Sequence, residues 1–478
     1  ANLVTLGKVW GFAKYHHPRV TAGDFDWDQQ LLDVLPAVRD APDREAALDA
    51  MNAWLERLGP VEPCDRCAEV PSDGHLDAPV AWIEDTAMLG ADLSRRLGHI
   101  HANRPDGGGQ HYVAHQPGVG NPLFLNEDDY ADDPAPDEGL RLLALYRFWN
   151  VIQYWFPYRD LIDDDLDALL AEFVPDVLDA SDAQAYRLTM LRLIARVKDT
   201  HANLWSDVAV RPPGGSLRVP VAVRFIENRA VVVDYQDDTH GPATGLEIGD
   251  VVEAVDGVPV ETLIRQWEPY YAASNRPTRL RDIGRSLLRG SSASVAIAFE
   301  RGGTRMETVA QRLAIGEMDP TRGLTHDLDG PAFQRLSPDV AYLKLSSVVA
   351  ESAASYIERA EGSQVFVIDI RNYPSEFVVF ALGGHFVTES TPFARFTSAR
   401  AANPGVFTMG PAVSVSPRAP HYPGRIVILV DETSQSQSEY TAMAFRAAPN
   451  ALVVGSTTAG ADGNVSPIPL PGGLRSLI

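Results

Sequence analysis

The sequence predicts a multidomain α+β protein, helical at its start, β-rich in the middle and α/β at its end. Three observations carry this expectation. Aromatic-rich segments with apolar residues at helical spacing occur twice before residue 200, at a constant offset. Short β-branched runs joined by Glu227-Asn228 and Asp256-Gly257 turns follow, from Leu217 to about Arg312. From Asp339 onward, apolar strand-like runs alternate with helix-forming segments, the pattern of parallel crossover units.

In the helical part, Leu6-Gly-Lys-Val-Trp10-Gly-Phe-Ala-Lys-Tyr15-His-His-Pro18 matches Leu145-Tyr-Arg-Phe-Trp149-Asn-Val-Ile-Gln-Tyr154-Trp-Phe-Pro157, an offset of 139. The match persists at Leu35-Pro36 against Val174-Pro175, Met51 against Met190 and Arg57 against Arg196. Each copy reads as a helical hairpin with its aromatics on the inner face. Between the copies, Asp85 to Ile100 reads as another helix and Arg104 to Pro136 as loop with a short strand. His99, His101, His111 and His115 lack a companion Asp or Glu at ligand spacing, so surface histidines and no metal site are expected. His16 and His17 stand where the other copy has Trp155 and Phe156, which implies packing or surface roles. The helix Tyr186 to Val197 of the second copy runs into Lys198-Asp-Thr-His201-Ala-Asn-Leu-Trp205, where the first has Gly59 and Pro60. A histidine present in one copy alone invites a functional role, although a helix C-terminus also satisfies a histidine through its dipole.

The 478 residues suffice for about three domains. The composition shifts divide the chain into a first helical copy with its Gly/Pro-rich connector (1–135), a second copy (136–212), a β-rich module (213–318) and an α/β core (319–478). A net charge of −23 argues against nucleic acid or an anionic membrane as partner. No membrane span and no secretory h-region are visible, and the initial Ala marks a processed product or a fragment. Lysine occurs only at Lys8, Lys14, Lys198 and Lys344, so a catalytic lysine is scarce. Cys64 and Cys67 have no second pair to complete a metal knuckle; a local disulfide or two buried thiols fits them, with a redox role left open.

In the middle module, Val219 to Phe225 and Arg229 to Val233 read as strands. The stretch Gly241-Pro-Ala-Thr-Gly245-Leu-Glu-Ile-Gly249-Asp250-Val-Val-Glu-Ala-Val-Asp256-Gly257 resembles the core of PDZ domains: a short helix, a Gly-Asp turn, a strand and an Asp-Gly hairpin. Val219-Pro220-Val221 replaces the Gly-rich loop that would cradle a peptide carboxylate. Trp267 to Leu288 reads as a helical insertion. In the core, Val340 to Leu345 and Val365 to Ile370 read as strands, and Ala350 to Glu361 and Phe377 to Phe386 as helices. Ile426 to Val430 reads as a strand buried on both faces. The turn Thr433 to Ser438, a helix from Glu439 to Ala448 and a second buried strand from Ala451 to Val454 follow. A hydroxyl at that turn meets unpaired backbone N–H groups and a favourable dipole, which an oxyanion needs. Ser434, Ser436 and Ser438 equally suit plain helix capping.

Three motifs together resemble the tail-specific (C-terminal processing) serine peptidases: Asp199-Thr-His201-Ala-Asn-Leu, Asp369-Ile-Arg371-Asn-Tyr-Pro374 and Ser434-Gln-Ser436-Gln-Ser438-Glu439. The resemblance runs from about Leu140 to the end. It implies a crotonase-like α/β core, hydrolysis of protein or peptide substrates through an acyl-enzyme, no cofactor, and export to a periplasm or cell exterior. On that pattern Ser436 is the nucleophile. Many members pair it with a lysine, but Ala461 stands at that place, so the chain is similar to the tricorn-type branch, with His201 as general base beside Thr200. Imidazole suits both halves of the proton traffic, taking it from serine and returning it to an amine. The implied oxyanion donors are the N–H of Gln437 and an N–H near Ser375, where the family has Gly. The tricorn-type carboxylate lies further on than the 42 residues after Ser436 reach. A truncated chain, with Pro471 to Ile478 a hairpin cut midway, accounts for this; so does Asp199 orienting His201 instead. No Gly-x-Ser-x-Gly elbow and no His-Glu-x-x-His motif is present. A catalytically inactive, ligand-holding scaffold is the alternative.

Overall fold

A computed structural model describes residues 1–64, 67, 70–105 and 110–478; residues 65–66, 68–69 and 106–109 lie outside the described residues. Cys64 and Cys67 form a disulfide.

Each repeat copy has three long helices and is not a hairpin: Asn2–His16, Trp27–Arg39 and Arg44–Arg57, with the single turn Pro18–Thr21 after the first, then Glu138–Trp155, Leu166–Leu178 and Ala183–Ala195. The helix starts explain the third element. Asp26 and Asp165 cap the second helices, and Asp43 and Asp182 cap the third, each carboxylate accepting backbone N–H groups of the first turn. Both pairs keep the repeat spacing, so the caps belong to the repeat as much as the aromatics do. The copies pack through their first helices, where Gly7 and Gly11 let the backbone approach Tyr146 and Asn150. A Cβ at Gly11 would fall 1.9 Å from the Asn150 side chain, which is itself held by Gly7 O at 3.0 Å. The histidines nearby serve packing. His16 and His17 are buried and His16 stacks on Phe12; burial pushes their pKa values down to about 3 and about 4, and that of His101 to about 4. Only His99 of the four expected surface histidines is exposed; His101 is half-covered against Phe12 and His16, His111 against Tyr112 and His115 against Trp155. Among the described residues no cluster of His, Cys, Asp or Glu is arranged to hold a metal.

The β-rich module is an antiparallel six-stranded sheet. Its order is Thr304–Gln311, Ser294–Arg301, Val251–Val255, Arg229–Tyr235, Val221–Ile226, with Val258–Pro259 paired beside Val251–Val255. Glu227, Asn228, Asp256 and Gly257 take the positive φ that tight hairpins need. The insertion expected at Trp267 to Leu288 holds the short turn Glu268–Tyr270 and one helix, Arg276–Ser286; another helix, Val260–Trp267, precedes it.

The core sheet runs Phe333–Ser337, Val340–Lys344, Val365–Asp369, Arg425–Val430, Ala451–Gly455; the last four are parallel and the first is antiparallel to its neighbour. Ala451–Gly455 corrects an expectation: Leu452, Val453 and Val454 are exposed, because this strand is the sheet edge and is paired on one side only. Arg425–Val430 likewise buries Ile426, Ile428 and Val430 fully and its other face only in part. The expected helix Phe377 to Phe386 shrinks to Val379–Gly383, and the one after the serine turn starts earlier, at Gln437. The last residues form a closed hairpin, Pro467–Leu470 with Leu474–Leu477, turning at Gly472 and Gly473 in left-handed backbone. It leaves the core and packs on the helices: Ile468, Leu470 and Leu474 share the apolar cluster of Trp10 and Trp149. Arg147 Nη1 and Tyr186 O–H donate to the carbonyls of Pro469 and Pro471. No helix among the described residues is long and apolar enough to cross a membrane.

Gly11→Ala is expected to lower unfolding stability by about 2 kcal/mol or more in a denaturant titration, since overpacking is compounded by the lost Asn150 hydrogen bond.

Candidate active site

The parallel strand Arg425–Val430 ends at Asp431, and the chain turns sharply before the helix Gln437–Arg446. The three serines of this turn separate cleanly. Ser434 is fully buried, donates to Ile370 O at 2.7 Å and accepts from the N–H of Asp431. Ser438 is fully buried and donates to Asn372 O at 2.8 Å. These two lock the turn onto the Asp369–Asn372 segment. Ser436, between them, is half-exposed, and its hydroxyl has one long contact, 3.5 Å to Gly463 O. Its backbone sits at φ 55°, ψ −118°, left-handed territory that a non-glycine residue adopts only under constraint.

The constraint is Glu439. One of its oxygens accepts the N–H groups of Ser436 (3.2 Å) and Ala461 (3.0 Å), the other that of Gly460 (2.7 Å). Ser436 N–H also donates to Ala461 O at 2.9 Å. The serine turn and the loop 459–463 are thereby one unit. Thr200 joins the same loop: its hydroxyl lies 3.2 Å from Ala459 O and 3.0 Å from Ser274 Oγ. So the two remote motifs meet across 459–463. His201 follows Thr200, with Nδ1 3.4 Å from Asp199 Oδ1 and a buried Nε2 that has no hydrogen-bond partner among the described residues. His201 and Ser436 share no hydrogen bond in this conformation; the Ser436 hydroxyl faces the Gly463 carbonyl instead.

Asp462, which directly follows Ala461, joins the site with no motif in the sequence to mark it. Burial pushes its pKa up to about 6; the neighbouring Glu439 charge adds to this, while His201 opposes it. The structure thus brings Ser436, His201, Thr200 and Asp462 together. Gln437 opens the helix, and its N–H has no acceptor among the described residues. Ser375 is different. Its own N–H is spent on Leu345 O at 2.9 Å and its hydroxyl on Val348 O, which removes that N–H from the oxyanion position the resemblance implies. The adjacent Glu376 carbonyl accepts the Gln437 side-chain amide at 3.0 Å, so this segment does border the turn.

A second set of charges braces the turn from the β-rich side. Burial alone would raise the pKa of Asp431, but it is outweighed: Oδ2 lies 2.6 Å from His326 Nδ1, and Oδ1 accepts the Thr433 hydroxyl and N–H, so the carboxyl is held well below its usual range. Arg224 reaches both Asp431 and Glu432.

Comparison with known proteins agrees with this architecture. Residues 339–476 match the sequence model of peptidase family S41. No curated protein matches the chain. Among solved structures, a mutant of CPAF aligns with a TM-score of 0.56 at 13% identity, covering 71% of this chain and 88% of that one. Mature CPAF complexed with lactacystin aligns at 0.53 and 14% identity, over 71% and 89%. The photosystem II D1 C-terminal processing protease also matches, at 0.40 and 16% identity over 71% and 86%. At such identities the CPAF likeness is one of fold: a helical N-terminal region joined to a mixed-sheet core.

Two outcomes follow for the loop. Glu439→Gln puts an N–H₂ where an acceptor stood, so it is expected to cost about 1–3 kcal/mol in chemical denaturation. In the same variant the Asp462 pKa should fall below about 6, read by carboxyl NMR titration. Because folding raises the Asp462 pKa, the folded chain holds a proton that the unfolded chain has lost, and stability declines as pH climbs from the ordinary carboxylate range to about 6. Asp462→Asn is expected to flatten that decline in melting temperature against pH.

Proposed function

We propose that the chain is a serine peptidase in which Ser436 attacks the peptide carbonyl and His201 moves the proton. The observation that carries this reading is the strained, loosely bonded Ser436 at a helix start, on a loop shared with the Thr200-His201 segment. In the proposed cycle His201 Nε2 takes the Ser436 hydroxyl proton as the oxygen bonds to the carbonyl carbon. The Gln437 N–H meets the developing oxyanion. His201 then returns the proton to the departing amine, and water releases the acyl group by the reverse traffic. Asp199 on Nδ1, with Asp462 nearby, supports the imidazolium. Thr200 fixes the segment rather than reacting. A small rotation of the Ser436 hydroxyl away from Gly463 O precedes the step, as is common for sites that tighten on substrate binding.

The β-rich module, with its Asp-Gly hairpin and short helix His240–Ala243, supports a PDZ-like reading, and the strand–turn–helix unit a crotonase-like core. A periplasmic or extracellular setting is part of the same proposal, supported by the Cys64–Cys67 disulfide. The substrate is a protein or peptide. One observation favours the second reading, an inactive scaffold: the missing hydrogen bond between His201 and Ser436.

Labelling with a fluorophosphonate separates the two. Stoichiometric modification at Ser436 is expected, and a silent chain would establish the scaffold. Ser436→Ala and His201→Ala should each reduce turnover by roughly 10⁴-fold or more, and hydrolysis that persists in either variant removes that residue from its role.

A further inference from the structure

A cavity of about 420 Å³ opens where the segment after His201, the β-rich module and the serine turn meet, and Thr200 and Gln435 both line it. Its wall carries Arg211, Arg218, Arg281, Arg285 and Arg289 against a single carboxylate, Asp282. Such a concentration of cation is out of character for a chain of net charge −23. Asp282 is already shared, 2.8 Å from Arg281 Nε and 3.7 Å from Arg285 Nη1. Arg281 also donates to Glu432 O and to the Gln435 side chain, so it is committed. The other three have no ion pair among the described residues. Arg211 lies over the Tyr271 ring at 4.2 Å with its Nε buried and unpartnered. Arg289, 5% exposed, donates to Arg211 O and also leaves its Nε unpartnered. Arg218 has no side-chain hydrogen bond among the described residues.

Burial and mutual crowding disfavour these charges: burial lowers the pKa of Arg218 and Arg289, and that of Arg285 to about 10. Uncompensated cations drawn out of water are costly, and guanidinium groups with donors left over match a carboxylate in geometry as well as sign. The lining residues Gln435 and Thr200 directly precede Ser436 and His201 in the chain.

We infer that this cavity is a subsite for a carboxylate of the peptide presented to Ser436, so that substrates are chosen for an acidic group close to the scissile bond. This rests on the peptidase reading of Ser436. The carboxylate is either an Asp or Glu side chain or the chain terminus, and the peptide series below tells them apart.

The test measures binding rather than turnover. In the Ser436→Ala protein, fluorescence anisotropy follows three labelled peptides of one sequence: with Glu and a free C-terminus, with Gln in place of Glu, and with Glu and an amidated C-terminus. The free-acid Glu peptide is expected to bind about tenfold or more tightly than at least one of the other two, with affinity falling as salt rises. A loss on Glu-to-Gln replacement assigns the side chain, and a loss on amidation assigns the terminus. Arg218→Gln and Arg211→Gln, each added to Ser436→Ala, should weaken the preferred peptide by about tenfold without lowering the melting temperature. Equal binding of all three peptides, or full affinity in folded Arg218→Gln and Arg211→Gln proteins, overturns the inference. Cleavage by the unmodified protein is scored separately. Its loss in Ser436→Ala speaks only to the peptidase reading, and selective binding only to the cavity.

Discussion

Everything at the candidate site hangs on the carboxylate of Glu439. Three backbone N–H groups from two segments converge on it, those of Ser436, Gly460 and Ala461. An acceptor-only group is needed there, since any hydroxyl or amide would supply a hydrogen of its own. Without it, the serine turn and the loop 459–463 would be joined only by the backbone bonds from Ser436 N–H to Ala461 O and from Ala459 N–H to Ser434 O. The same charge has a cost. Buried beside Asp462, it helps to keep that carboxyl protonated well above the ordinary range. The site thus holds two acids with separate duties, one fully bonded and structural, the other poised to titrate close to an imidazole.

The Ser436 backbone shows how such a device is maintained. A left-handed, non-glycine conformation costs on the order of 1–3 kcal/mol and relaxes unless its surroundings forbid it. Here Ser434 and Ser438 hold either side of it by bonds to Ile370 O and Asn372 O, and Ala461 O holds its N–H. His326, and Arg224 from the β-rich module, hold Asp431 where the turn leaves the sheet. The β-rich module therefore abuts the serine turn directly, and the arginine-lined cavity occupies that junction.

Distance along the chain is bridged at the other end by the last hairpin. It carries the core's final strands into the helical cluster, so that Trp205 N–H donates to Arg475 O and Ser206 accepts from Arg475 N–H. The segment bearing His201 is thereby held between the helices and the chain's end. The histidine, which one repeat copy has and the other lacks, stands where three parts of the molecule are tied together.

What the sequence determined by itself was local and periodic. The 139-residue repeat, the hairpin turns at Glu227-Asn228 and Asp256-Gly257, the crossover unit and the three motifs follow from spacing and from backbone demands that neighbouring residues state openly. The repeated Asp caps were equally open to inspection, and they would have given three helices per copy. Tertiary structure alone decided the rest. Which of three alternating serines is left unlocked depends on carbonyls more than sixty positions away. That Asp462 titrates high depends on burial beside Glu439, that Ser375 has no N–H to spare depends on Leu345, and that Leu452 to Val454 lie exposed depends on sheet order. Each is a matter of which groups lose water and which find partners, and a chain states that only once it is folded.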